Sequence, residues 1–254
     1  MSELLRVRGL ERHFGGIYAT AGVDLEVRAG ELHALIGPNG AGKTTLIHLV
    51  SGALAPDAGE VAFDSAVVTA LPMHERAARG LVRSYQITSV FPHLPALENV
   101  RLAVQSRCRE WGSSFRLWRP AAADTAMGDE AAALLERVGI AGRGATLAAD
   151  LAHGEQRALE LAMALATKPR LLLLDEPMAG MGHEESERMA DLVASLKGSI
   201  SMLLVEHDMD IVFRLADRIS VLVAGRIVAS DAPEAIRDNP EVRRAYLGDE
   251  VVPL

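Results

Sequence analysis

Gly37, four further residues and then Gly42-Lys43-Thr44 make the pattern G-x-x-x-x-G-K-[ST] inside GPNGAGKTT at 37–45. That spacing suits a backbone cradle for phosphate groups. Glycine has no Cβ, so the chain through Gly37, Pro38, Asn39, Gly40, Ala41 and Gly42 can curl until its N–H groups face an anion. Lys43 would reach the β- and γ-phosphates. The Thr44 hydroxyl, with Thr45 behind it, would take a ligand place on Mg²⁺. Lys43 is read as a charge for phosphates and not as a core residue. Two later places carry matching chemistry. Asp175-Glu176 follows the four leucines Leu171–Leu174, offering one carboxylate to help hold Mg²⁺ and another to orient an attacking water. His207 follows the apolar run Ser201–Val205 and would contact a γ-phosphate. Taken singly, a strand-end carboxylate caps a helix and a lone histidine is merely solvated. In this order, behind such a loop, phosphoryl transfer is the better reading.

These groups need a scaffold, and the flanking sequence supplies one. Leu32–Ile36 is a short apolar run before the loop, and Thr44–Val50 begins a helix after it. Arg170–Leu174 and Ser201–Val205 read as buried strands. Acidic residues just past such strands lie at the carboxyl edge of a parallel sheet, where open α/β folds bind ligands. Leu4–Leu10 and Gly22–Val27 are further strands with Phe14 between them, a ring able to stack on a purine or to pack as an ordinary aromatic. Pro56–Gly59 signals a turn before a strand at Glu60–Phe63, and Arg76–Arg79 belongs to a short helix. From about Phe91 to Ala149 alanine and arginine become frequent. A helical pattern there runs over Ala121–Val138, so this part is an α-helical insertion in which Trp111, Phe115 and Trp118 serve as packing residues. Helices follow at Glu155–Ala166 and Glu184–Leu196. Arg218–Val223 and Arg226–Ala229 make a hairpin through Ala224-Gly225, and Asp231–Leu247 ends in one or two short helices.

The 254 residues fit one large domain or a domain with an inserted lobe, and a hydrophobic content of 49% provides a sizeable core. With 26 basic against 34 acidic residues the net charge is −8, which argues against a nucleic-acid partner. The single cysteine, Cys108, excludes an intramolecular disulfide and a cysteine-cluster metal site, and reads as a spectator thiol. No stretch approaches the roughly 18 apolar residues of a membrane span, and MSELLRVRGL lacks a signal-peptide core. The expectation is a cytoplasmic protein that serves any membrane by docking.

Five motifs in order resemble the ATP-binding subunits of ABC transporters: GPNGAGKTT at 37–45, Gln86, LAHGEQ at 151–156, LLLLDEP at 171–177 and His207. The resemblance covers about Leu4 to Gly248. It implies an α/β P-loop NTPase fold with a RecA-like core and antiparallel β subdomain at 1–86 and 160–254, and an α-helical lobe with the signature at 87–159. It implies ATP and Mg²⁺ as ligands, with Gln86 sensing the metal site and Ala152, Gly154 and Glu155 of the signature serving an ATP held by a second subunit. It favours Phe14 as the adenine-stacking residue. Two permease subunits, a second ATPase and, indirectly, a solute-binding protein are the implied partners, at the cytoplasmic face of the inner membrane. Within the family RHFGGIYAT, FPHLPALENV, DEPMAGM and PEVRRAYLG resemble branched-chain amino acid importers. Lipopolysaccharide-export ATPases share FGG and YLG and are the alternative, with soluble repair or translation ATPases further off.

Two places depart from the family pattern. The usual L-S-G-G-Q signature has Ala152 for serine, His153 for the first glycine and Glu155 for glutamine, and Gly182 stands where the loop after DEP usually ends in aspartate. The lost hydroxyl removes one γ-phosphate donor. A regulatory subunit without hydrolysis is therefore a rival reading, against which Glu176 and His207 speak.

Overall fold

The computed structural model describes residues 2–84, 90–107 and 121–247. Gln86, Cys108, Trp111, Phe115 and Trp118 lie outside the described residues. The chain forms two compact units, one from Met1–Arg83, Arg170–Glu176 and Val193–Leu254, the other from Ser84–Pro169 and Pro177–Leu192.

The first unit begins with β1 (Glu3–Phe14), β2 (Ile17–Arg28) and β3 (Leu32–Ile36), followed by α1 (Lys43–Ser51). Next come β4 (Ala58–Phe63), β5 (Ala66–Val67), α2 (Met73–Ala78) and β6 (Leu81–Arg83). The second unit holds α3 (Ala96–Ser106), α4 (Ala121–Arg137), α5 (His153–Ala166) and the start of α6 (His183–Leu196). The remaining elements return to the first unit: β7 (Leu171–Asp175), β8 (Ser201–Val205), α7 (Met209–Leu215), β9 (Arg218–Val223), β10 (Arg226–Asp231), α8 (Pro233–Asp238) and α9 (Pro240–Leu247).

Two sheets organise the first unit. A four-stranded sheet in the order β2-β1-β4-β5 is antiparallel throughout. A six-stranded sheet in the order β10-β9-β3-β8-β7-β6 is parallel except for the β9–β10 hairpin. Every residue of β3, β7 and β8 is buried, as expected of parallel strands with both faces covered. Leu46, Ile47, Leu49 and Val50 of α1 join one core with Leu5, Val7 and Leu10 of β1 and Leu35, Leu173, Leu203 and Val205 of the parallel sheet. Each such side chain contributes about 1.5–3 kcal/mol on burial, so the helix behind the glycine loop is fixed from several sides.

Where short strands were expected on either side of Phe14, one long hairpin runs from Glu3 to Arg28, with Phe14 paired to Ile17 across a Gly15-Gly16 tip. Its outer half is mostly exposed, Phe14, Ile17 and Tyr18 included, so hydrophobic alternation stops before the backbone pairing does. The Ala224-Gly225 hairpin is present, both residues having positive φ, 45° and 77°.

In the second unit α3 packs on α4 and α5. Asn99, fully buried on α3, accepts from Phe91 N–H at 2.7 Å and donates to the carbonyls of Phe91, Leu94 and Pro95. Arg107 holds Glu130 through Nη1 and Nη2, and Nη1 also donates to Ala166 O at 3.0 Å.

Candidate functional site

Three neighbouring strands of the parallel sheet, β3, β8 and β7, deliver the candidate groups from their carboxyl ends. β3 runs into Gly37. The loop closes with Ala41 N–H donating to Pro38 O at 3.1 Å, and α1 then begins at Lys43 with Gly42 as N-cap at φ 106°. Two glycines are dictated by contact. A Cβ on Gly37 would lie 2.1 Å from Leu222 O, and one on Gly42 would lie 2.0 Å from Ala19 O. The loop is thus wedged between the backbones of β9 and β2. Gly40 has open space around it and only its φ of 79° favours glycine. The N-terminal pole of α1 carries no acidic residue in its first turn, which leaves its positive end for an anion.

Lys43 corrects the sequence expectation. It is 8% exposed, a buried cation, with Nζ donating to Gly37 O at 2.6 Å and Pro38 O at 3.1 Å. Burial holds its pKa below the usual lysine range, while the charges of Glu176 and Asp175 oppose that shift. Those two carboxylates and the lysine therefore share one electrostatic environment.

Asp175 is the last residue of β7 and pairs in register with Val205 at the end of β8. Glu176 N–H then donates to Val205 O at 2.9 Å, and Glu176 adopts φ 50°, a left-handed conformation that a non-glycine residue holds only where its surroundings impose it. The other strand end, β8, continues into Glu206 and His207. Glu206 is buried and accepts from His207 N–H at 3.1 Å, while the His207 side chain is 65% exposed. Thr44 lies one residue into α1, partly exposed beside Lys43.

Arg83, at the end of β6, is a residue that sequence reading missed. Its Nη2 lies 2.9 Å from Asp175 Oδ2, with side-chain exposures of 7% and 0% for the pair. Burial pushes the Asp175 carboxyl up and Arg83 draws it back down; Glu176 adds to the rise and His48 opposes it. In sequence Arg83 is only a charged residue after Leu81-Val82, with nothing that names its partner. Asp175 Oδ1 is buried with no hydrogen-bond partner among the described residues. An orphaned, buried carboxylate oxygen at the end of β7 fits a cation such as Mg²⁺. No group of three or more His, Cys, Asp or Glu side chains able to hold a metal occurs among the described residues.

Phe14 sits at the hairpin tip, 51% exposed, with the Arg12 guanidinium 5.1 Å from its ring centroid. Ala152, Gly154 and Glu155 belong to the second unit. The helix they open starts at His153 rather than near Glu155, with Ala152 as its N-cap. Glu155 accepts from Ala152 N–H at 3.0 Å and pairs with Arg143 at 2.7 Å, and Arg143 holds its carboxyl below the usual range. Alanine has no acceptor to return, so only half of a capping box exists. The Glu185 carboxylate lies over Gly154, 2.9 Å from where a Cβ would stand, and accepts from Gly182 N–H at 3.4 Å.

Residues 20–179 match the family model described as ABC transporter, and residues 226–252 match that of the branched-chain amino acid ATP-binding cassette transporter. The chain is 39% identical over 250 residues to the high-affinity branched-chain amino acid transport ATP-binding protein LivG of Salmonella typhimurium, covering 97% of this chain and 98% of that protein. It is 38% identical over 251 residues to BraF of Pseudomonas aeruginosa, a protein of the same description, with the same coverage. Among solved structures, a nucleotide-free ATP-binding cassette from an ABC transporter superposes with a TM-score of 0.83 at 28% identity, covering 98% of this chain and all of that one. An ATP-binding cassette of an ABC transporter in its ADP conformation gives 0.82 at 27% identity, with equal coverage. No helix among the described residues is long and apolar enough to cross a membrane.

Proposed function

The chain belongs to the ATP-binding subunits of ABC transporters, and from that premise we propose that it hydrolyses ATP to drive import of branched-chain amino acids or related small solutes. The observation that carries the reading is the convergence of Lys43, Asp175, Glu176 and His207 at the carboxyl ends of β3, β7 and β8. The named relatives and the C-terminal family match favour the import branch over lipopolysaccharide export.

In this reading the backbone N–H groups of 37–45 and the pole of α1 bind the phosphates, and Lys43 exchanges its carbonyl partners for phosphate oxygens. Thr44, Asp175 and Gln86 would hold Mg²⁺, which neutralises charge on the transferred group. Glu176 takes the proton of the attacking water. His207 donates to the γ-phosphate. Phe14 stacks on the adenine. The work is positioning and charge stabilisation more than covalent chemistry. The signature residues Ala152, Gly154 and Glu155 serve an ATP held by a second ATPase, and the 87–159 lobe links that event to the permeases at the cytoplasmic face of the membrane.

The test is reconstitution of the chain in vesicles with two permeases, the paired ATPase and a binding protein. ATP hydrolysis stimulated by leucine, isoleucine or valine supports the proposal. Stimulation by none of these, with another solute effective, overturns the substrate class.

A further inference from the structure

The hairpin tip carries an arrangement that phosphate chemistry does not use. Asp57 lies in the turn before β4, and four contacts tie it to β1. Its Oδ1 accepts from Arg12 Nη1 at 2.7 Å, and its Oδ2 accepts from His13 N–H at 2.8 Å and lies 2.8 Å from His13 Nδ1. Asp57 N–H donates to Glu11 O at 2.8 Å. Arg12 also donates to Ala55 O at 3.3 Å. From this anchorage the Arg12 guanidinium stands 5.1 Å from the Phe14 centroid, within the roughly 6 Å at which a cation is drawn to a ring face. A ring has two faces, and Arg12 covers one. The hairpin is also tied to the phosphate loop, because Ala19 O of β2 packs where a Gly42 Cβ would be. A base held at Phe14 is thereby set at a fixed distance from phosphates held at 37–45.

We infer that Asp57 is a positioning residue for the nucleobase: it holds Arg12 against one face of Phe14 and so presents the other face to the adenine of ATP. The inference rests on the reading of Phe14 as the stacking residue. Asp57 itself touches neither base nor phosphate. The ion pair sets the guanidinium, the guanidinium sets the ring, and the bond to His13 N–H fixes the backbone from which the ring projects.

The experiment compares binding of ATP with binding of inorganic tripolyphosphate, which has the phosphates and no base, both with Mg²⁺. The full chain is used as wild type, F14A, R12A, D57A and the R12A/D57A double variant, each with a thermal melt. F14A is expected to weaken ATP by about 5–150-fold, the range for base–aromatic stacking, and to leave tripolyphosphate unchanged. R12A and D57A are each expected to weaken ATP by about 2–5-fold, as fits an exposed cation–π contact. The double variant is expected to lose no more than either single one, since both act through the same ring face. A purely structural Asp57 would move both ligands together and add to R12A. Should D57A melt too low to assay, D57N removes the ion pair while keeping an acceptor for His13 N–H. If F14A leaves the ratio of ATP to tripolyphosphate affinity unchanged, the stacking reading fails and the inference with it. If F14A shifts that ratio while D57A and D57N do not, or if R12A tightens ATP, the Asp57 inference fails and the role of Phe14 stands.

Discussion

Replacing Arg83 by methionine isolates the buried pair beneath the candidate site. The pair is almost fully out of water, with side-chain exposures of 7% for Arg83 and 0% for Asp175. Methionine fills much of the same volume and removes the charge. Taking one partner from such a pair leaves a buried ion without compensation, a loss of about 3–5 kcal/mol. In a domain of this size 1 kcal/mol corresponds to roughly 2–4 °C, so the melting temperature falls by about 6–20 °C. The sign of the pH effect is fixed as well. Burial already raises the Asp175 pKa above its ordinary 3.8, and Arg83 is the chief influence opposing the rise. Without Arg83 the folded-state pKa climbs further while the unfolded value stays put. The folded state then binds the extra proton, so stability is fully present below the unfolded pKa and is lost as pH rises through the folded one. The penalty of R83M is therefore expected to be larger at pH 8 than at pH 5, measured by denaturant unfolding at both. The exposed pair Arg8–Glu26, at 53% and 36% side-chain exposure, is the control, and R8A is expected to cost about 0–1 kcal/mol. The double variant R83M/D175N is expected to regain part of the stability and none of the ATP hydrolysis. A loss below about 1 kcal/mol, or an equal loss at both pH values, would refute the reasoning.

Gly42→Ala is expected to cost roughly 2–5 kcal/mol, combining overlap with Ala19 O and a strained φ, whereas Gly40→Ala, with open space around it, costs about 1 kcal/mol; paired melts decide, and equal losses would count against the wedged loop. Lys43→Ala is expected to abolish ATP binding at a stability cost of about 1–3 kcal/mol for two lost hydrogen bonds, offset in part by relief of a buried charge; unchanged affinity in a titration would overturn the loop assignment. Glu176→Gln keeps ATP binding and slows hydrolysis by about 10²–10⁴-fold in single-turnover assays, and normal turnover would mean another group activates the water.

The parallel sheet was legible because β3, β7 and β8 are short, mostly apolar runs, with Gly37, Asp175 and Glu206 marking where they stop. The loop was legible because its spacing is a physical template: Gly37 and Gly42 are glycines since two carbonyl oxygens occupy the space a side chain would need. Arg83 was not legible. Its partner lies 92 positions away, and nothing local marks an arginine after Leu81-Val82 as the counter-ion of a later aspartate. The burial of Lys43 escaped for a related reason, since a cation capped by the carbonyls of its own loop looks in sequence like any lysine before a helix. The extension of the first hairpin was hidden because β1 beyond Leu10 is held by backbone bonds and by Asp57, which leave no hydrophobic period.

The departures in the signature have a physical consequence that bears on pairing. A helix start that receives phosphate works by free N–H groups and a positive pole. At α5 the pole is already answered from within. Ala152 offers no hydroxyl, the Glu155 carboxylate takes the Ala152 N–H, and the Glu185 carboxylate lies over Gly154. An incoming γ-phosphate would meet two carboxylates, Glu155 at the place of the signature glutamine and Glu185 over Gly154, and no hydroxyl at Ala152. Arg143, 2.7 Å from Glu155, offsets one of them. On the proposed sandwich this weakness falls on the ATP held by the other subunit, while the site built on Lys43, Asp175 and Glu176 depends on the partner's signature. Two copies of this chain would therefore make two handicapped sites, and a partner with an intact signature would make one complete site. Slow hydrolysis by the chain alone, accelerated when a second ATPase joins it on the permeases, is the outcome this asymmetry requires; equal rates with and without the second ATPase would remove the basis for it.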